Sequence, residues 1–310
     1  MTRRVEIVEV GPRDGLQNEA VALSPEDRAA FVLRLEAAGV RRIEAVSFVH
    51  PGRVPQMAGA EAVLAALPSD PSRSRIGLVL NVRGWERLIA TACDEANVVV
   101  CATDAFGRAN QGSGHREQMD MFAQVAQRAR SEGPPVTVTV AVAFGCPFEG
   151  EVPLERVVEV AREADAMGVK EIALADTIGV ADPWEVRRRI EAVKAVAPDA
   201  KLRLHFHDTR RTGLANAYAA IEAGADVLDA SCGGIGGCPF APKATGNIAT
   251  EDLVYMLDRA GIETGLDLDA LIATAHWIGA KLGKDVPSGL SRAGGFPTPA
   301  QSLSASDGSI

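Results

Sequence analysis

The sequence predicts an α/β protein: a single (β/α)8 TIM barrel over residues 1–283, with an extra C-terminal helix and a flexible tail over 284–310. Three observations carry this prediction. Short apolar runs alternate with longer helical patterns eight times along one uninterrupted stretch. The runs are rich in Val, Ile and Leu, as parallel strands covered by helices must be. A length of 310 residues suits one barrel. A doubly wound sheet is the alternative, but eight consecutive units favour closure.

The elements follow in order. "VEIVEV" from Val5 reads as the first strand. "SPEDRAAFVLRLEAAG" is the first helix, with Ser24 as N-cap, Pro25 at the first helical position and Gly39 as the stop. "RRIEAVSFV" and "RIGLVLNV" are strands two and three, and a helix runs from Gly84 to about Asp94. "ANVVVCAT" is the fourth strand, with a helix from about His115 to Ser131. "VTVTVAVAFG" precedes the helix "LERVVEVAREADAMG", and "EIALADT" precedes "DPWEVRRRIEAVKAV". "KLRLHFHD" leads to a helix from Gly213 to Ala223, and "DVLDASCGG" leads to "TEDLVYMLDRAG". An extra helix spans about Leu268 to Leu282. The Gly, Ser and Pro content from about Ser288 predicts a mobile tail.

Composition narrows the function. Apolar residues make up 47% and charged residues 24%, a core-forming balance. No apolar run approaches the roughly 20 residues of a membrane span. The opening "MTRRVEIVEVGPRDG" moves directly into a strand pattern, so neither signal nor transit peptide is expected, and a cytoplasmic location is. The net charge of −9 carries no basic footprint for nucleic acid. The five cysteines form no CxxC pair and read as reduced thiols.

Barrels of this kind place their chemistry at the C-terminal ends of the strands. Polar residues cluster there: Arg13 and Asp14, Glu44 and Ser47, Asp176 and Thr177, then His205, His207 and Asp208, and finally Cys238 and Asn247. His205 and His207 are two apart and so share one face of a strand. Two adjacent imidazoles are half of a metal site, or else a hydrogen-bonded core pair. Asp14 and Asn247 can add oxygen ligands, and a mixed N/O shell without thiolate suits Mg2+ or Mn2+. Glu44 on an apolar strand needs a partner, and Arg13 is the candidate. Arg13 can be a rim ion pair or a fixed positive group for an enolate oxygen. "GIGGCP" begins like a dinucleotide fingerprint, but it has Pro239 at the sixth position and follows the last strand, so that reading is rejected. Its glycines suggest a lid carrying Cys238, which is either inert or an acid/base group.

Together these residues resemble the 3-hydroxy-3-methylglutaryl-CoA (HMG-CoA) lyase family of metal-dependent barrel lyases. "VEVGPRDGLQNE", "GCPFEG", "DTIGV", "HFHDT", "GGCPFA" and "TGNIATEDLVYML" match its motifs in order, from about Val5 to Gly283. The resemblance implies a homodimer that binds an acyl-CoA substrate and a divalent metal, Mg2+ or Mn2+; the charge and the apolar runs predict neither a nucleic-acid nor a membrane partner. It implies Asp14, His205, His207 and Asn247 as ligands and Arg13 as the enolate stabiliser. Glu44 would hold Arg13, Asp176 would lie near the reacting hydroxyl, and Cys238 would move a proton. Gln17 and Ser47 would line the pocket.

The implied reaction is a retro-Claisen cleavage giving acetyl-CoA and, from HMG-CoA, acetoacetate. An acetyl-CoA-dependent transferase condensing with a 2-oxo acid is the alternative, although such relatives usually carry a further domain. The chain departs from the family pattern in "RRTGLAN" after "HFHDT", which brings Arg210 and Arg211 toward the mouth as candidate carboxylate or phosphate grips or as a solvated helix start. It also has Ala141 and Val142 where a Ser-Cys pair is usual. The departures lie in the pocket lining rather than in the metal and enolate machinery.

Overall fold

The eight apolar runs are buried almost throughout and close into a barrel. The computed structural model describes residues 3–237 and 246–297, so Cys238 and residues 298–310 of the expected tail lie outside the described residues. The strands are β1 (Glu6–Glu9), β2 (Arg42–Ser47), β3 (Ser74–Val79), β4 (Glu95–Cys101), β5 (Val136–Ala141), β6 (Glu171–Asp176), β7 (Lys201–Phe206) and β8 (Val227–Ala230). Each pairs in parallel with the next, and β1 pairs with β8 through Glu6–Val227 to Glu9–Ala230 to complete the ring. The expected barrel is observed.

Eleven helices are described: α1 (Pro25–Ala37), α2 (Ala60–Ala65), α3 (Val82–Ile89), α4 (Asp104–Gln111), α5 (His115–Glu132), α6 (Leu154–Ala166), α7 (Pro183–Val196), α8 (Gly213–Glu222), α9 (Thr250–Arg259), α10 (Leu268–Leu282) and α11 (Leu290–Ala293). Ser24 Oγ accepts from the Asp27 N–H at 3.1 Å, and Gly39 takes φ +95°, so the predicted start and stop of α1 are both present. Phe31, Val32 and Leu35 of α1 are fully buried against the barrel. Each such side chain contributes about 1.5–3 kcal/mol. Helices α2 and α4 were not expected from sequence. They are only six and eight residues long, too short for a 3.6-residue period to stand out. None of the helices described is long and apolar enough to cross a membrane.

In the segment expected as a tail, Val286 and Ser288 are buried. The Asp252 carboxylate accepts from the N–H groups of Gly289 and Leu290, both at 2.8 Å, and the Ser288 N–H donates to Gly233 O at 3.2 Å. One acidic side chain on α9 thus tethers the start of that segment.

Outside the strand ring, one buried carboxyl joins three elements. Glu9 Oε1 accepts from Gly11 N at 2.8 Å and Cys232 N at 2.9 Å, and Oε2 accepts from Thr250 Oγ1 at 2.6 Å. Burial pushes Glu9 up to about 8 despite these donors. Nearby Glu251, which accepts from Gly233 N at 3.0 Å, is pushed by burial to about 7. A raised carboxyl favours the protonated fold. Its contribution is complete below the ordinary value of about 4.5 and fades as pH rises through 8. Glu9→Gln keeps both acceptor bonds and can donate to Thr250. Urea unfolding at pH 6 and 8.5 should show wild type losing roughly 2 kcal/mol more than the variant. Equal losses in both proteins would refute the assignment.

Candidate active site and metal centre

A cavity of about 1310 Å³ opens at the C-terminal ends of the strands. The metal-ligand candidates and Arg13 enter it through the local geometry of "GPRDG". Gly11–Gly15 forms a five-residue π-turn directly after β1. Glycine is required at both ends. A Cβ at Gly11 would lie 2.6 Å from Glu9 Oε1, and one at Gly15 would lie 2.8 Å from Ser231 Oγ. The turn presents Arg13 and Asp14, both buried, to the cavity. On β7 the two-residue period turns Arg203, His205 and His207 inward, and all three line the cavity. The imidazole centroids are 5.1 Å apart.

Three of the four predicted ligands converge. His207 Nε2 is 3.4 Å and His205 Nε2 3.9 Å from Asp14 Oδ2. Among the described residues, Asp14, His205 and His207 are the His/Cys/Asp/Glu group whose ligand atoms all lie within 4.8 Å of one another. Asn247 completes the set. Its Nδ2 donates to Asp14 Oδ2 at 2.9 Å and Ile235 O at 3.1 Å, leaving its buried Oδ1 without a partner. A buried carbonyl oxygen without a donor is a standing cost that a cation would remove. The donors are two imidazole nitrogens and two oxygens, a set that fits a hard divalent ion.

Electrostatics supports the fit. Arg13 Nε donates to Glu44 Oε2 at 2.6 Å, Nη2 also pairs with Glu44, and Nη1 donates to Asp14 Oδ1 at 2.6 Å. Arg203 pairs with Asp229, which accepts from His205 Nδ1 at 3.1 Å. Two guanidiniums therefore face three carboxylates, leaving one net negative charge when the imidazoles are neutral. A dication reverses that charge, and a bound anion then balances it. Burial works to raise the Asp14 carboxyl, but the Arg13 guanidinium, the His207 bond and both imidazoles hold it well below the usual carboxylate range. Burial lowers His205, yet its bond to Asp229 and the Asp14 charge bring it above its ordinary value.

Glu44 has the expected partner in Arg13 and a second in Asn97, whose Nδ2 donates to Oε1 at 2.9 Å. Gln17 lines the cavity, with Nε2 3.4 Å from Asp14 Oδ1. Cys238 is outside the described residues. The chain approaches it through Gly237, which lines the cavity and accepts from Asn18 Nδ2 at 2.8 Å.

Six expected residues, Glu44, Ser47, Asp176, Arg210, Arg211 and Asn247, are not part of the cavity lining. Asp176 does not line the cavity, because β6 turns its neighbours Ala175 and Thr177 inward. Its carboxylate accepts from Val180 N at 2.8 Å and Ala181 N at 3.0 Å and so ties the loop after β6. Ser47 is fully buried and outside the lining; a register shift between Glu44 and Val46 pairs it with the cavity-lining Leu78, and its buried hydroxyl has no partner. Arg210 clamps the carbonyls of Ile178 and Gly179 at 2.9 and 2.8 Å. Arg211, at φ +60°, reaches Asp208 Oδ2 at 3.1 Å, and neither arginine lines the large cavity. Sequence reasoning missed Arg203, Asp229 and Asn97. The signal for Arg203 was present, because it continues the His205/His207 alternation backward.

Part of the cavity lining is apolar. Leu78 on β3, Val99 on β4, Ala141 on β5 and Ala175 on β6 form that part. The β5 end is strained: Val142 holds φ +51°, costly for a β-branched residue, and its N–H donates to Thr177 Oγ1 at 2.8 Å.

Known proteins are similar to this chain. A model of the HMGL-like family matches residues 4–278. An (R)-citramalyl-CoA lyase from Chloroflexus aurantiacus is 44% identical over 300 residues, covering 94% of this chain and 95% of the relative. A hydroxymethylglutaryl-CoA lyase from Bacillus subtilis is 40% identical over 286 residues, covering 92% and 96%. The structure of an HMG-CoA lyase from Acenitobacter baumannii in complex with coenzyme A and 3-methylmalate matches with a TM-score of 0.91 at 38% identity, covering 96% of this chain and 98% of that one.

The ligand assignment makes a direct prediction. Asp14→Asn keeps the side-chain shape but removes the charge that both imidazoles face. Mn2+ binding, followed by calorimetry, should weaken by about 100-fold or more, beyond the loss typical of an outer hydrogen-bond partner. Unchanged affinity would exclude Asp14 as a ligand.

Proposed function

This chain belongs to the HMGL-like family, and from that premise we propose that it is a divalent-metal-dependent carbon–carbon lyase. Its substrate in this reading is HMG-CoA or a related 3-hydroxy-3-alkylacyl-CoA, cleaved to acetyl-CoA and an oxo acid, acetoacetate in the case of HMG-CoA. The observation that carries the reading is the convergence of Asp14, His205 and His207 beside a fixed Arg13 in one cavity, with Asn247 hydrogen-bonded to Asp14 behind it.

Asp14, His205, His207 and Asn247 would hold the ion, Mg2+ or Mn2+. When bound, it supplies Lewis-acid polarisation of the substrate's tertiary hydroxyl, making that proton easier to remove. The chain's own residues do the rest. Transfer of the hydroxyl proton to the Cys238 thiolate, in this reading, lets the C–O bond become a carbonyl. The C2–C3 bond breaks, and its electron pair passes to the α-carbon of the thioester as an enolate. Arg13 sits where that charge develops. Glu44 and Asp14 hold its guanidinium rigid, and those bonds leave further N–H donors for the enolate oxygen. Protonation of the α-carbon then gives acetyl-CoA, and we assign the proton to Cys238, next to the cavity-lining Gly237. The apolar wall of Leu78, Val99, Ala141 and Ala175 takes the alkyl branch on C3. A homodimer and a cytoplasmic location complete the reading and rest on the family resemblance and on sequence composition.

The test is acetyl-CoA release from HMG-CoA and from citramalyl-CoA by purified protein with Mg2+ or Mn2+, with and without EDTA. EDTA-sensitive release is expected. Arg13→Met should lower kcat by about 100- to 1000-fold with little change in KM, as for a group acting mainly in the transition state. No release from either thioester, with condensation of acetyl-CoA onto a 2-oxo acid instead, would replace the lyase by the transferase.

A further inference from the structure

The deepest charged group lining the cavity is not among the ligands. Arg203 lies on β7, two residues before His205, and is 1% exposed. Its Nε donates to Asp229 Oδ1 at 2.5 Å and its Nη2 to Asp229 Oδ2 at 3.0 Å. This is a bidentate fork across to β8. Asp229 Oδ2 also accepts from His205 Nδ1 at 3.1 Å. The fork therefore fixes the plane of the carboxylate that fixes the plane of the imidazole. With Nδ1 tied, Nε2 is the nitrogen left for the Asp14 side.

Arg203 is itself held from below. Its Nη1 makes no hydrogen bond and lies 3.6 Å from Glu171 Oε1. Glu171 is gripped by Arg42 at 2.8 and 2.9 Å, and Arg42 also reaches Glu95 at 2.7 Å. A buried guanidinium is costly without a purpose or a partner. This one has partners above and below, and it links the ionic floor of the barrel to a metal ligand.

We propose that Arg203 is a positioning residue that acts through Asp229 to set the orientation of His205, and thereby the affinity of the site for its divalent ion. The proposal rests on the metal reading given under Proposed function. Three side chains on two neighbouring strands form the relay: Arg203 aligns Asp229, Asp229 aligns His205, and His205 presents Nε2. An apolar residue at 203 would leave the imidazole free to rotate about a carboxylate that can itself rotate. A lysine at 203 would keep the charge but not the planar fork.

The experiment measures Mn2+ affinity of the metal-stripped full-length protein by electron paramagnetic resonance, for wild type, Arg203→Lys, Arg203→Met, Asp229→Ala and the Arg203→Met/Asp229→Ala double variant. Each protein's fold is checked by circular dichroism. Affinity should fall about 10- to 100-fold in both single variants at 203, as it does when an outer partner of a ligand is lost. At saturating Mn2+, the kcat of Arg203→Lys should recover to near the wild-type value, which a general loss of structure would not allow. In the Asp229→Ala background, Arg203→Met should weaken binding no further, because its route to the metal is already cut. If Arg203→Met does not fold, Arg203→Lys decides alone. Wild-type affinity in a folded Arg203→Lys, or additive losses in the double variant, would overturn the relay while leaving the metal site standing. Failure of the wild-type protein to bind Mn2+ at all would instead remove the metal reading on which the proposal rests.

Discussion

Charge placed inside a barrel must be neutralised inside the barrel, and this constraint organises the whole active end of the molecule. Ions so far from bulk water are tolerated only when paired and hydrogen-bonded. Two chains of alternating charge meet that demand. One runs Asn97–Glu44–Arg13–Asp14, and the other runs Arg203–Asp229–His205. They meet where His205 and His207 face Asp14 Oδ2. Asp14 divides its two oxygens between these duties: Oδ1 neutralises Arg13, and Oδ2 faces the imidazoles. The residual negative charge at that junction is what gives a dication its place.

The backbone must bring these groups to the junction without a strand to carry them all. The π-turn after β1 solves this locally by placing the consecutive Arg13 and Asp14 in one cavity, which a strand's alternation forbids. Glycines at both ends of the turn allow close approach to Glu9 and Ser231. Glu9 then ties the turn to the end of β8 and to the start of α9. A single buried carboxyl outside the ring thus keeps the two edges of the site in register. The segment after α10 braces the same region through Ser288 and Gly233.

The cavity lining carries charge on more than one side. Strands β7 and β8 and the turn after β1 supply Arg203, Asp229, Arg13 and Asp14, and Arg53, Arg83, Arg87 and Glu117 line it as well. Leu78, Val99, Ala141 and Ala175 add apolar surface between them. Ala175 pairs in register with His205, so its small side chain leaves room beside that imidazole.

The sequence by itself determined the barrel, because eight apolar runs separated by helical patterns leave few other ways to bury their faces. It also determined that His205 and His207 act together, because a two-residue period is a property of the strand and needs no neighbour. Arg13 with Glu44 was legible for the same kind of reason: a buried acid demands a cation, and one was at hand. Local pattern could not determine which face of a strand end turns inward. Asp176 looked like a site residue by position, yet alternation within β6 turns Ala175 and Thr177 to the cavity instead. At Ser47 a register shift in β2 interrupts the alternation that a local pattern assumes. Arg210 holds two carbonyls of the loop after β6, and Arg211 pairs with Asp208 in its own loop. Only the tertiary structure brought Asp229 to His205 and Arg203 to Asp229, because those bonds cross between strands and depend on the β7–β8 register that sets His205 opposite Asp229.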